Sequence, residues 1–146
     1  MLFVDDEPGL LKVIEMALRP MAKEWETHFV QSGKDALALM AREPFDVVVS
    51  DMRMPDMNGA QLLNLVLRQY PRSVRIILSG YVELKDAMSC VGVAHQFLQK
   101  PCNRRTQRRF SYLKRHHSPL RLTFQYANSS TVSELPQYIH VHKISE

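Results

Sequence analysis

Residues 47–59 read VVVSDMRMPDMNG: three valines and a serine, an aspartate, then a loop rich in Met, Asp, Asn and Gly. The short β-branched run predicts a buried strand, and the turn residues after it predict a loop that leads into a helix. Asp51 stands where the two meet. Removing a carboxylate from water costs on the order of several kcal/mol unless a cation or hydrogen bonds compensate it. A sequence that ends an apolar strand in this way therefore needs a partner for Asp51, and the ends of the other strand-like runs are where to look for one.

Four further runs share the wording of residues 46–50: LFV (2–4), THFVQ (27–31), VRIIL (74–78) and QFLQ (96–99). Amphipathic stretches separate them. Leu10, Ile14, Ala17 and Leu18 make one stripe, Leu62, Leu63, Val66 and Leu67 a second, and Leu84, Ala87, Met88 and Val91 a third; a shorter helix fits residues 34–41. Strands alternating with helices imply right-handed crossovers and a parallel sheet covered on both faces, a doubly wound α/β fold. In such folds the ligand site lies outside the carboxyl ends of the strands.

Those ends are polar in four places. Strand one runs into Asp5, Asp6 and Glu7, strand three into Asp51, strand four into Ser79 and Gly80, and strand five into Lys100 and Pro101. Acids that converge repel one another, and a hard divalent cation answers the repulsion. Mg²⁺ takes oxygen ligands, keeps several waters, and commonly combines one or two carboxylates with phosphate oxygens. Asp6 and Asp51 fit as direct ligands, with Asp5 holding a water. Lys100 and the Ser79 hydroxyl supply a charge and a donor for an incoming anion. An aspartate in that setting suits nucleophilic attack on phosphorus to give an acyl phosphate.

Asp5-Asp6-Glu7, DMRMP at 51–55 with Gly59 beyond it, LSGY at 78–81 and FLQKP at 97–101 together resemble the receiver domain of two-component response regulators, of the chemotaxis-regulator-like kind. The resemblance covers about residues 1–103. It implies a flavodoxin-like five-stranded parallel sheet of order 2-1-3-4-5, with Asp51 as phosphoacceptor. Asp5 and Asp6 match the metal-binding acidic pair, and Arg53 the position whose backbone carbonyl completes the Mg²⁺ shell. Ser79 matches the switch hydroxyl, Phe97 the switch aromatic, and Lys100 the family's lysine. A sensor histidine kinase or phosphotransfer protein is the implied partner, with a homodimer through the face of helix four, strand five and helix five as a further possibility. More narrowly, LSGY and AHQFLQKPC resemble receivers fused to cyclic-di-GMP phosphodiesterase or related HD-type output domains, although no such output domain is recognised in the sequence.

Residues 104–146 depart from that pattern. Residues 1–100 carry 11 Lys and Arg against 13 Asp and Glu, whereas residues 101–146 carry 8 against 2, so the net charge of +4 belongs to the tail. NRRTQRRFSYLKRHHSP offers few apolar residues to anchor a fifth helix, and the segment is expected to be an atypical basic tail that replaces or extends it. Its arginines could attract phosphate backbones, but it carries no recognised nucleic-acid motif, and a nucleic-acid partner is not expected.

No run is long enough to span a bilayer, no signal-peptide order opens the chain, and two cysteines do not make a disulfide framework, so the expected setting is cytoplasmic, with no membrane partner. A switch that assists only its own phosphorylation is the expected function. The alternatives are a nucleic-acid module worked by the tail, an aspartyl-phosphate phosphohydrolase of the dehalogenase type, and a receiver fold that no longer receives phosphate. Simpler readings exist for single residues: Asp5–Glu7 as a helix start, Ser79-Gly80 as turn chemistry, His95 as a surface or structural histidine, and Met52, Met54 and Met57 as gap-filling core.

Overall fold

A computed structural model describes residues 1–80 and 88–100. Its elements run β1 (Leu2–Val4), α1 (Pro8–Leu18), a 3₁₀ turn (Arg19–Met21), β2 (His28–Val30), α2 (Gly33–Met40), β3 (Val47–Ser50), α3 (Gly59–Gln69), β4 (Val74–Ser79) and β5 (Gln96–Gln99). The five strands form one parallel sheet of order β2-β1-β3-β4-β5, which is the flavodoxin-like topology expected. The predicted fourth helix falls largely in the undescribed residues 81–87, and the tail, with the predicted boundary at 103, lies outside the described residues.

The period of two along each strand sends alternate residues to two separate cores. Leu2, Val4, Val48 and Ile77 meet Ala36 and Met40 of α2 and Ala60, Leu62, Leu63 and Val66 of α3. On the opposite face Phe3, Val47, Val49, Ile76, Leu78 and Leu98 meet Leu11, Ile14 and Leu18 of α1, and the buried Trp25 joins them. The central strands are covered on both sides, which is why they read as near-continuous apolar runs. Met52 and Met54 are buried in the first core and Met57 packs against it, as gap-filling methionines should.

Local chemistry sets where each helix begins. Pro8 opens α1, where its missing N–H is no loss. The Ser32 hydroxyl accepts from the Asp35 N–H at the start of α2. A capping box starts α3, the Asn58 side chain accepting from Gln61 N–H at 2.9 Å while the Gln61 side chain accepts from Asn58 N–H at 3.0 Å. These starts aim α2 and α3 back along one face of the sheet.

Candidate functional site

β1 and β3 are neighbours, paired Val4 to Ser50, so the residues that follow them, Asp5 and Asp51, emerge side by side at the carboxyl edge. Both backbones continue the ladder for one residue. Asp5 N–H donates to Val30 O at 3.2 Å, and Asp51 N–H donates to Val4 O at 2.8 Å. Both side chains are buried, Asp5 4% and Asp51 8% exposed. On the far side, Lys100 N–H donates to Ser79 O at 3.0 Å, which fixes the root of that lysine at the end of β4.

From there the Lys100 amine reaches both acids. Its Nζ lies 2.7 Å from Asp5 Oδ2 and 2.7 Å from Asp51 Oδ1. Burial alone would push the amine pKa down; the hydrogen bonds to Asp5 and Asp51, with the charges of the two carboxylates, more than reverse this and hold it above its ordinary value. The remaining carboxylate oxygens take backbone donors. Glu7 N–H donates to Asp5 Oδ1 at 3.0 Å and Arg53 N–H to Asp51 Oδ2 at 2.7 Å. Two carboxylates thus share one ammonium, which leaves a surplus negative charge among oxygen donors, the chemistry that suits a hard divalent cation.

The other predicted site residues are placed as follows. Asp6 is exposed, and among the described residues no three His, Cys, Asp or Glu side chains are gathered to hold a metal ion. Arg53 has an exposed side chain, and its backbone lies two residues beyond Asp51. Ser79 is buried as the last residue of β4 rather than in a turn after it. Phe97 pairs with Ile77 and packs partly buried against the same core. Since residues 77 and 79 face one side of the sheet, Ser79 and Phe97 share that side, offset by one strand pair.

Gly59, which the sequence marks only as part of the motif, and Ser50 and Arg75, which it leaves unmarked, have structural roles. Gly59, the first residue of α3, lies so close to the Asp51 carbonyl oxygen that an added Cβ would overlap it, and would lie 2.9 Å from Ile77 Cδ1. Ser50, fully buried, donates from its hydroxyl to the Asp51 carbonyl at 2.8 Å. At the opposite edge of the sheet Arg75 is buried; its Nε donates to Val93 O at 2.7 Å, and its backbone N–H donates to His95 Nδ1 at 2.9 Å. His95 is therefore structural, as one reading of the sequence held.

Residues 1–109 match the model of the response regulator receiver domain. The response regulator protein PilR of Pseudomonas aeruginosa is 35% identical over 101 residues, 68% of this chain and 22% of its own length. The transcriptional regulatory protein GlrR of Escherichia coli is 36% identical over 106 residues, 71% of this chain and 23% of its own. The chain thus spans less than a quarter of the length of these curated relatives. Among solved structures, the signal receiver domain of an HD domain-containing protein from Pseudomonas fluorescens superposes with a TM-score of 0.69 at 28% identity, covering 80% of this chain and 90% of that one. The match runs through β1, β3, β4 and β5 and every polar strand end described above, and this chain belongs to the receiver domain family of two-component response regulators.

Proposed function

We propose that this chain signals by accepting a phosphoryl group on Asp51 from a sensor histidine kinase or a phosphotransfer protein. The observation that carries the reading is the shared ammonium: Lys100 Nζ sits 2.7 Å from a carboxylate oxygen of Asp5 and of Asp51, so both acids and the amine open on one point at the edge of the sheet. Asp5, Asp6 and Asp51, with the Arg53 backbone carbonyl, would hold Mg²⁺. Bound there, Mg²⁺ supplies positive charge to the oxygens of the transferring group.

The chain's own residues do the rest. An Asp51 carboxylate oxygen attacks phosphorus in line, a P–O bond forms, and the bond to the donor's nitrogen or oxygen breaks with its electron pair leaving on the donor. Each Asp51 oxygen accepts one hydrogen bond in the resting state and keeps a second lone pair for attack. Once a carboxylate charge is consumed in the acyl phosphate, the Lys100 ammonium moves to a phosphoryl oxygen. The Ser79 hydroxyl turns toward the same group, and the space it leaves admits Phe97, which carries the change to the face of β5. That face is the proposed surface for a partner or a second copy of the chain. Residues 1–103 form the phosphoaccepting unit, 104–146 are an appendage to it, and the cycle does not turn over a substrate.

The test is incubation with acetyl phosphate and Mg²⁺ followed by intact mass and peptide mapping. One added phosphoryl group on the peptide that holds Asp51, absent after chelation of Mg²⁺ and absent in Asp51→Asn, is the expected result. Steady release of phosphate from simple esters, abolished in Asp51→Asn, would support a phosphohydrolase instead.

A further inference from the structure

We propose that Ser50 is a positioning residue for phosphoryl transfer: its hydroxyl fixes the peptide that joins Asp51 to the loop, and so sets where the Arg53 N–H and carbonyl lie. The inference rests on Asp51 being the acceptor.

Ser50 is anomalous where it stands. It occupies the centre of a parallel sheet, paired with Val4 on one side and Ile77 on the other, and it is 0% exposed. The three residues before it are valines, the type that such a position favours. A hydroxyl there is costly unless it is hydrogen-bonded, and its bond goes to the Asp51 carbonyl at 2.8 Å. Asp51 is the first residue beyond β3, so its carbonyl has left the regular strand. Gly59 closes on the same oxygen from the start of α3, leaving no space there for a Cβ. The carbonyl is thus held between a donor and a helix start.

The consequence reaches the reacting group through the backbone. The orientation of the Asp51 carbonyl is the orientation of the whole peptide plane that leads to Met52, because that plane is rigid. Two residues later the Arg53 N–H returns to Asp51 Oδ2 at 2.7 Å. Gly59 N–H donates to Met52 O at 3.0 Å, which ties the far end of the same loop to it. Rotating the plane would break the Arg53 bond, free the Asp51 carboxylate to turn, and move the carbonyl proposed to ligate Mg²⁺.

Threonine and valine at position 50 separate the hydroxyl from its shape, since the two are nearly isosteric. Wild type, Ser50→Thr, Ser50→Val and Ser50→Ala are compared below their melting transitions for Mg²⁺-dependent phosphorylation by acetyl phosphate. The Arg53 amide is followed by NMR without metal. Expected are Ser50→Thr within about threefold of wild type, and Ser50→Val and Ser50→Ala slower by about tenfold or more, a factor in keeping with one lost hydrogen bond. The half-saturating Mg²⁺ concentration should rise in the same two variants, and their Arg53 amide should lose hydrogen-exchange protection before any metal is added. Variants that melt earlier yet phosphorylate at the wild-type rate, with an unchanged Arg53 amide and Mg²⁺ dependence, would make Ser50 merely structural and overturn the inference while leaving Asp51 as acceptor. A wild-type protein that takes no phosphoryl group on Asp51 overturns both.

Discussion

The Lys100 ammonium lies 2.7 Å from Asp5 and 2.7 Å from Asp51, bridging residues that follow the first and third strands from a position that follows the fifth. A single cation between two buried carboxylates stabilises the resting edge and also occupies the mouth of the site. In the proposed phosphorylation of Asp51, the phosphoryl oxygens, more negative than the carboxylate they replace, would draw the amine to themselves.

Lys100→Met should therefore leave two buried acids facing each other without their cation. In metal-free buffer near neutral pH the expected loss is roughly 2–3 kcal/mol of unfolding free energy, below the ~3–5 kcal/mol of a fully buried pair because the Lys100 side chain is 19% exposed. Added Mg²⁺ should recover more stability in the variant than in wild type, and urea denaturation with and without the metal reads both effects. In wild type the folded amine pKa is raised above 10.5. The stabilisation is thus fully present below that value, and is lost as the pH climbs through the raised one.

Gly59→Ala should destabilise although alanine is the better helix former. Helix propensity alone would favour the change by up to about 1 kcal/mol. The new Cβ would overlap the Asp51 carbonyl oxygen and press on Ile77 Cδ1. Overpacking against backbone costs on the order of 2 kcal/mol or more, so a fall in the urea midpoint is expected. Phosphorylation should slow as well, because the displaced carbonyl belongs to the proposed acceptor, Asp51.

Asn58→Ala should cost about 1 kcal/mol by removing the acceptor for the Gln61 N–H at the start of α3. A thermal melt suffices to measure it. Gln61→Ala removes the reciprocal bond, and the double variant should lose less than the sum, since each half of the capping box supports the other.

The strands and the polar set at their ends were legible because periodicity and turn residues are local signals. VVVSD, VRIILSG and QFLQK each announce a buried run and its exit, and parallel topology then brings those exits to one edge. Boundaries moved by a residue or so: β4 reaches Ser79, and β2 contracts to His28–Val30. Ser50 and Arg75 were illegible for one physical reason. Both are polar side chains satisfied by main-chain carbonyls, of Asp51 for the first and of Val93, Pro71 and Ser73 for the second. A backbone carbonyl belongs to every residue, so no side-chain pattern marks it as a partner.

His95 gives the last test, at the edge of the sheet away from Asp51. Its Nδ1 accepts the Arg75 backbone N–H while the His95 backbone N–H donates to Arg75 O at 2.7 Å, so the imidazole adds a rung beside the β4–β5 ladder. Both ring nitrogens face Arg75 donors, Nδ1 its backbone N–H and Nε2 its Nη2 at 3.2 Å, so an added ring proton finds no acceptor there. Burial, then the Arg75 charge, lowers the His95 pKa from 6.5 to about 4. Between those two values the unfolded chain binds a proton that the folded one refuses, so this contribution is complete above pH 6.5 and is lost as the pH falls toward about 4. Discounted for the part of the ring that solvent reaches, the loss is about 1–2 kcal/mol. His95→Asn keeps an acceptor but does not titrate, and should flatten that part of the profile relative to wild type when both are unfolded in urea at pH values from neutral to acid. Equal slopes for the two proteins would mean that His95 binds its proton alike in the folded and unfolded chain, and would overturn this account.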